Sequence, residues 1–238
     1  MKLKLKKVIF LALMGTLTVA LIACEAGNSN HNSNDDSSTT TDTALKNNFP
    51  LSHMSDYDIE GQHRFYDVTM YEALELRNDE TFNGILYFGF PGCPWCQAAV
   101  PIMHEASQQT NTDIFYVNRS QEIRATDNWE NWDIEMAWWL NDQIEMEWLY
   151  DEDGEPDRPN IFVPQVVHLK NGIVVDDHRG TFEGHEHIED EKGQPYLPEL
   201  TAAERATLLE QYIRIFSSVH VPEICPVETT RPNDEGCS

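Results

Sequence analysis

The spacing of apolar and polar residues divides the chain into three stretches. Apolar residues first gather in Val8 to Ala23, broken only by Gly15, Thr16 and Thr18 and preceded by Lys2, Lys4, Lys6 and Lys7. A basic start and an apolar run shorter than the about 20 residues of a spanning helix have the layout of a secretory signal, 1–23, with an uncleaved anchor as the alternative. From Glu25 to Thr43 apolar residues almost vanish into Asn, Ser, Thr and Asp, a composition that cannot offset the entropy of ordering. Residues 24–48 therefore read as a polar tether, with a root-mean-square reach of about 27 Å as a flexible coil.

Beyond residue 48 the pattern becomes that of a folded domain, 49–220. Thr69 to Arg77 places Met70, Ala73 and Leu74 on one face of a helix. Gly84 to Phe90 is a nearly continuous apolar run, as expected of a strand covered on both faces, and Pro91-Gly92 stops it. A helix from Pro94 to Gln108 and a second buried strand from Asp113 to Asn118 complete a βαβ unit, whose strands should be parallel. Ile161 to Val167 and Gly172 to Asp176 are two more strands, joined in a hairpin by Lys170-Asn171-Gly172. Thr201 to Val219 closes with a helix, Thr201 as its N-cap and Glu204 completing a capping box. This order predicts an α/β fold with one mixed sheet flanked by helices.

Charge narrows the partners. With 41 Asp+Glu against 16 Lys+Arg in 238 residues, the net charge is −25. Phosphate binding needs the opposite balance, so nucleic acid is excluded as a partner, and an anionic membrane surface repels the chain. Hydrophobic residues at 40% still suffice for one core of ordinary size.

The chemistry-bearing motif is Cys93-Pro94-Trp95-Cys96. It falls where the buried strand gives way to a helix, and positions i and i+3 of a helical turn face the same way, which brings the sulfurs within disulfide range. Cys93 sits at the helix N-terminus, where free N–H groups and the dipole favour a thiolate; it is the expected nucleophile. Pro94 falls at the first helical position, where its missing N–H costs nothing. Cys96, one turn in and more shielded, suits a resolving thiol. A static bridge closing four residues would add little stability, and a zinc site lacks its second ligand pair at the usual spacing.

On these residues the chain resembles the thioredoxin superfamily from about Phe65 to Val219. The resemblance rests on the strand, the Cys-Pro-Trp-Cys motif, Pro101 five residues further on, Val163-Pro164 at the start of the third strand, and the hairpin from Val166 to Gly180. It implies a thioredoxin-like mixed sheet, a cis-proline at Pro164 facing the cysteines, and backbone pairing of Val163 with a substrate peptide. Two positions depart from the family. Tyr87 stands where thioredoxins carry a buried acid, and Pro-Trp replaces Gly-Pro between the cysteines. Leu21-Ile22-Ala23-Cys24 likewise resembles the bacterial lipoprotein box, which implies lipidation of Cys24 and anchoring outside the cytoplasm.

Ser120 to Asn160 is longer than a crossover needs and holds five of the six tryptophans, Trp129, Trp132, Trp138, Trp139 and Trp148. Trp132, Met136, Leu140, Ile144 and Trp148 recur every four residues and predict one helix, its stripe serving as core or as a client groove beside Cys93. Trp95, expected to be exposed, is the other client-contact candidate. Asp151 to Asp157 mimics a calcium loop, but the residue five before Gly154 is Leu149 and the pattern fails. His185-Glu186-His187 reads as surface histidines or, less simply, as metal ligands. Cys225 and Cys237, in the tail 221–238, should pair in an oxidising compartment and close a loop worth about 3 kcal/mol.

The sequence thus predicts a membrane-tethered, extracytoplasmic thiol-disulfide oxidoreductase. Its redox-active Cys93/Cys96 pair needs no cofactor or metal. Its partners are client proteins with cysteines or disulfides and a separate redox partner. The alternative is a non-catalytic lipoprotein that binds a partner, or a metal through Cys93, Cys96 and a histidine such as His104. A surface interaction module using the acidic and Trp-rich faces is a third reading.

Overall fold

The structure of the protein is a computed structural model that describes residues 48–120 and 129–221. The signal, Cys24, most of the tether, the start of the insertion, the Trp129 side chain, Cys225 and Cys237 lie outside the described residues.

Apolar periodicity sets the elements. Strand β1 (Phe65–Asp67) precedes helix α1 (Met70–Asn78), which starts in a capping box between Thr69 and Glu72. Strand β2 (Asn83–Gly89), helix α2 (Pro94–Thr110) and strand β3 (Ile114–Asn118) form the βαβ unit, β2 and β3 parallel with Tyr87 opposite Tyr116. Helix α3 (Trp129–Asn141) leads into an antiparallel ribbon of β4 (Glu147–Tyr150) and β5 (Pro156–Asn160). The hairpin of β6 (Gln165–Lys170) and β7 (Ile173–Arg179) turns at Asn171 and Gly172, both at positive φ. A short ribbon of β8 (Ile188–Glu189) and β9 (Pro195–Tyr196) precedes helix α4 (Ala202–Ser217), capped by Thr201 and Glu204.

The main sheet has the order β1-β3-β2-β6-β7. Strand β3 runs parallel to β1 and β2, while β6 is antiparallel to β2 and β7 to β6, so the sheet is mixed as expected. Period-2 alternation sorts its two faces. Ile85, Tyr87, Ile114, Tyr116 and Val166 pack under α2 and α4 with Cys93 and Cys96; Leu86, Phe88, Phe115, Val117 and Val167 pack under α1 and α3. Both faces are covered, and each fully buried Ile, Leu or Phe contributes about 1.5–3 kcal/mol of apolar transfer.

Three local expectations are corrected. Strand β1 is absent from the elements that periodicity predicts, because three residues with one fully buried side chain, Phe65, carry no period. Strand β6 starts at Gln165 rather than Ile161, since Pro164 has no N–H to enter a ladder. The four-residue repeat from Trp132 to Trp148 is not one helix: α3 ends at Asn141, Ile144 lies in the following turn and Trp148 is on β4. Asn141 and Asp142 are poor helix formers and break the stripe there.

Candidate active site

Strand β2 delivers the chain to Cys93, whose N–H donates to Phe90 O (3.1 Å) and whose carbonyl accepts from Gln97 N (3.0 Å) as the helix begins. Cys93 is the N-cap of α2, extended at φ −89° and ψ 120°, and Pro94 takes the first helical position. The Cys96 N–H donates to Cys93 Sγ at 3.4 Å, and the Cys93 thiol is directed at Val163 O, 3.7 Å away. Val163–Pro164 is a cis peptide and Pro164 is buried. The structure therefore brings Cys93, Cys96, Val163 and Pro164 together, with both cysteines as free thiols.

The two sulfurs differ in acidity. Cys93 is drawn down to about 7, chiefly because the Cys96 thiol donates to it, and also because the Cys96 and Trp95 N–H groups point at it; burial opposes them. The sequence alone credits the helix N-terminus, and the neighbouring thiol contributes more. Cys96 is pushed well above the usual thiol range by burial, by its hydrogen bond to Cys93 and by the negative charge on Cys93. Access is narrower than expected of a nucleophile: Cys93 is 5% exposed and Cys96 not at all.

Beneath Cys96 lies a group of buried phenols that sequence reasoning does not assemble. Tyr57 and Tyr116 share a hydrogen bond of 3.0 Å, and the Tyr87 ring stacks on Tyr116 at 5.0 Å. Burial pushes all three hydroxyls up, as it does that of Tyr212. The buried Tyr87 hydroxyl has no hydrogen-bond partner among the described residues, and its proximity favours a Cys96 thiolate against the effect of burial. Gly89 makes the room, because a Cβ there would overlap Tyr87 Oη. The available signal is strand alternation, which puts Tyr87 and Tyr116 in register on one face.

A strap from Thr181 to Leu200 crosses beside the motif. His185 is buried, its Nε2 donating to Pro198 O (2.8 Å) and its Nδ1 bonded to Thr181 Oγ1 (2.6 Å), so neither nitrogen is left for a metal. Trp95 Nε1 donates to His185 O at 2.8 Å and its ring meets His187 edge-on at 4.6 Å. Trp95 is thus half-buried and pinned, not freely exposed. The Trp-rich helix lies elsewhere: Trp132 and Trp139 pack with Met136 and Leu140 on the sheet face opposite the cysteines, which removes the client groove beside Cys93. His104 sits 11 residues beyond Cys93 on α2, about 16 Å along the axis, too far to share an ion with the thiols. Among the described residues, no three His, Cys, Asp or Glu side chains gather in a metal-holding group.

No protein-family model matches this chain, and no curated protein matches its sequence.

Proposed function

We propose that the protein is a thiol-disulfide oxidoreductase of thioredoxin-like fold, acting on client proteins through Cys93 and Cys96. The observation that carries the reading is the contrast within one helical turn between a thiol lowered to about 7 at the N-cap and a deeply buried partner held in the thiol form. The Cys93 thiolate attacks a client disulfide, one client sulfur leaves as a thiolate, and a mixed disulfide forms. Cys96, losing its proton, then attacks Cys93 Sγ and expels the second client sulfur. The client disulfide gains two electrons and two protons, and the Cys93/Cys96 pair becomes the disulfide. The reverse sequence oxidises a client dithiol, and a separate redox partner restores the starting state.

Strand order, the position of the cysteines at the β2–α2 junction and the Val163–Pro164 peptide beside them support the thioredoxin-like assignment. A lipid anchor at Cys24, outside the cytoplasm, is part of the proposal. Among the described residues no helix is long and apolar enough to cross a membrane. Titration of the Cys93/Cys96 pair against dithiothreitol and glutathione buffers, read by mass shift after alkylation, tests the function. A reversible two-electron transition lost in Cys93→Ser is expected, with Cys96→Ser accumulating the mixed disulfide. No exchange at any poise would end the oxidoreductase reading.

A further inference from the structure

The strap and α2 leave between them a groove of about 460 Å³, lined by Pro94, Gln97, Ala98, Leu197, Pro198 and Glu199. Its floor is mostly apolar, and it opens directly beside the first helical residue after Cys93. On the strap the cross-strand pair Ile188 and Tyr196 is 47% and 46% exposed, two large apolar side chains left uncovered next in sequence to His187, which meets Trp95, and to Leu197, which lines the groove. The rim is acidic. Between Phe182 and Glu199 the strap carries Glu183, Glu186, Glu189, Asp190, Glu191 and Glu199, all exposed, against the single Lys192. Glu186 stands between His185 and His187, the two residues that touch Trp95. On the other side, the Gln97 amide donates to Asp56 O (2.9 Å) and to Pro91 O (2.6 Å), which ties the turn bearing exposed Asp56 and Asp58 to the groove's edge.

We propose that this groove seats an extended cationic segment of the client polypeptide, with Lys or Arg residues flanking the reacting cysteine and an apolar side chain against Ile188 and Tyr196. The proposal rests on the oxidoreductase reading and names the substrate class of that site. Charge complementarity selects the occupant. Glu199 in the groove and the exposed carboxylates of the strap and of the turn held by Gln97 disfavour an acidic client, and a second copy of this chain, itself carrying −25, meets the same repulsion. A cleft walled by one sign of charge raises the local concentration and association rate of the opposite sign by about 10- to 1,000-fold, an effect that salt weakens.

The test uses the full chain and two disulfide-linked peptides of one sequence, one with Lys and Arg around the cysteines and one with Glu and Asp there. Exchange rates are measured at low and at high salt. The comparison variants are Glu186→Gln/Glu189→Gln/Glu199→Gln in the strap and Glu152→Gln/Asp153→Asn/Glu155→Gln in the β4–β5 turn, which change net charge equally. Binding of fluorescent Cys→Ser versions of both peptides is followed separately by anisotropy. The expected result is a cationic peptide that reacts and binds at least about 10-fold better at low salt, an advantage lost in the strap variant and kept in the β4–β5 variant. Equal behaviour of the two peptides would overturn the proposal. So would an equal loss in both variants, which would assign the preference to the chain's overall field, or a concentration-dependent dimer abolished by the strap substitutions. If neither peptide nor a small disulfide exchanges, the oxidoreductase reading falls, while the anisotropy arm still decides whether the groove takes cationic peptide.

Discussion

At the scale of single residues, the central quantity is the acidity of Cys93 and its source. Three donors face its sulfur, the Cys96 thiol and the N–H groups of Cys96 and Trp95, with the thiol contributing most. The rate of alkylation of Cys93 in the reduced protein should therefore rise with pH and flatten above about 7, well below the 9.0 of an unperturbed cysteine. Cys96→Ala removes the largest donor and leaves the backbone groups in place, so its inflection should move upward toward that of a free thiol. Mass-resolved alkylation on both sides of neutrality checks both, and an inflection left near 7 in Cys96→Ala would return the credit to the helix N-terminus. A thiol lowered in the fold also makes the reduced protein more stable as pH rises from about 7 toward 9, and this gain disappears as pH falls back through 7. The cysteine pair is legible in the sequence because i and i+3 on one turn is local information. The phenols under it are not, since Tyr57 and Tyr116 are 59 residues apart and meet only through the sheet and the turn that precedes it.

At the scale of elements, the long apolar periods are readable and the short ones are not. Helix α4 declares itself by Thr201 and Glu204, whose side chains satisfy each other's backbone N–H groups as the pattern requires. Strand β1 is three residues long, and the strap holds its shape through buried His185, Trp95 and two two-residue strands, none of which leaves a period in the sequence. Spacing misleads in the Trp-rich segment for a related reason: a repeat of four continues on paper past Asn141, while the helix stops there and Trp148 turns edge-on to Trp138 from β4 at 5.4 Å. The cap of α4 gives a prediction at this scale. Thr201→Ala removes the side-chain acceptor for Glu204 N and should cost about 1 kcal/mol, measured by urea unfolding. Helix α4 packs Tyr212, Ile215 and Phe216 against the cysteine face from its second half, so the Cys93 inflection should stay where it is. A shifted inflection with unchanged stability would mean that the cap acts on the site rather than on the helix.

At the scale of the whole molecule, stability against acid is set by opposing contributions. Protonating carboxylates relieves the self-repulsion of a chain at −25, which favours the folded state as pH falls. Buried histidines act the other way. His168 is 1% exposed and joins β6 to β2 and to the end of α4 through Asn83 Oδ1 and Ser218 Oγ, each at 2.7 Å. Burial lowers it from 6.5 to about 4, and burial lowers His178 and His104 as well. Above pH 6.5 the His168 ring is neutral whether the chain is folded or not, so it adds no pH dependence there. Between 6.5 and about 4 the unfolded chain binds a proton that the folded one refuses, and stability falls by up to about 3 kcal/mol from this ring. Carboxylates titrate mostly near the bottom of that window, so the histidine contribution should dominate its upper part. His168→Gln should be less stable than the parent near neutral pH, having lost a fitted pair of hydrogen bonds, yet show a shallower decline as pH falls from 6.5 toward about 4. Urea unfolding at several pH values in high salt, which screens the general repulsion, measures the two slopes. Parallel slopes would show that acid sensitivity arises elsewhere than in the buried ring joining the sheet to its last helix.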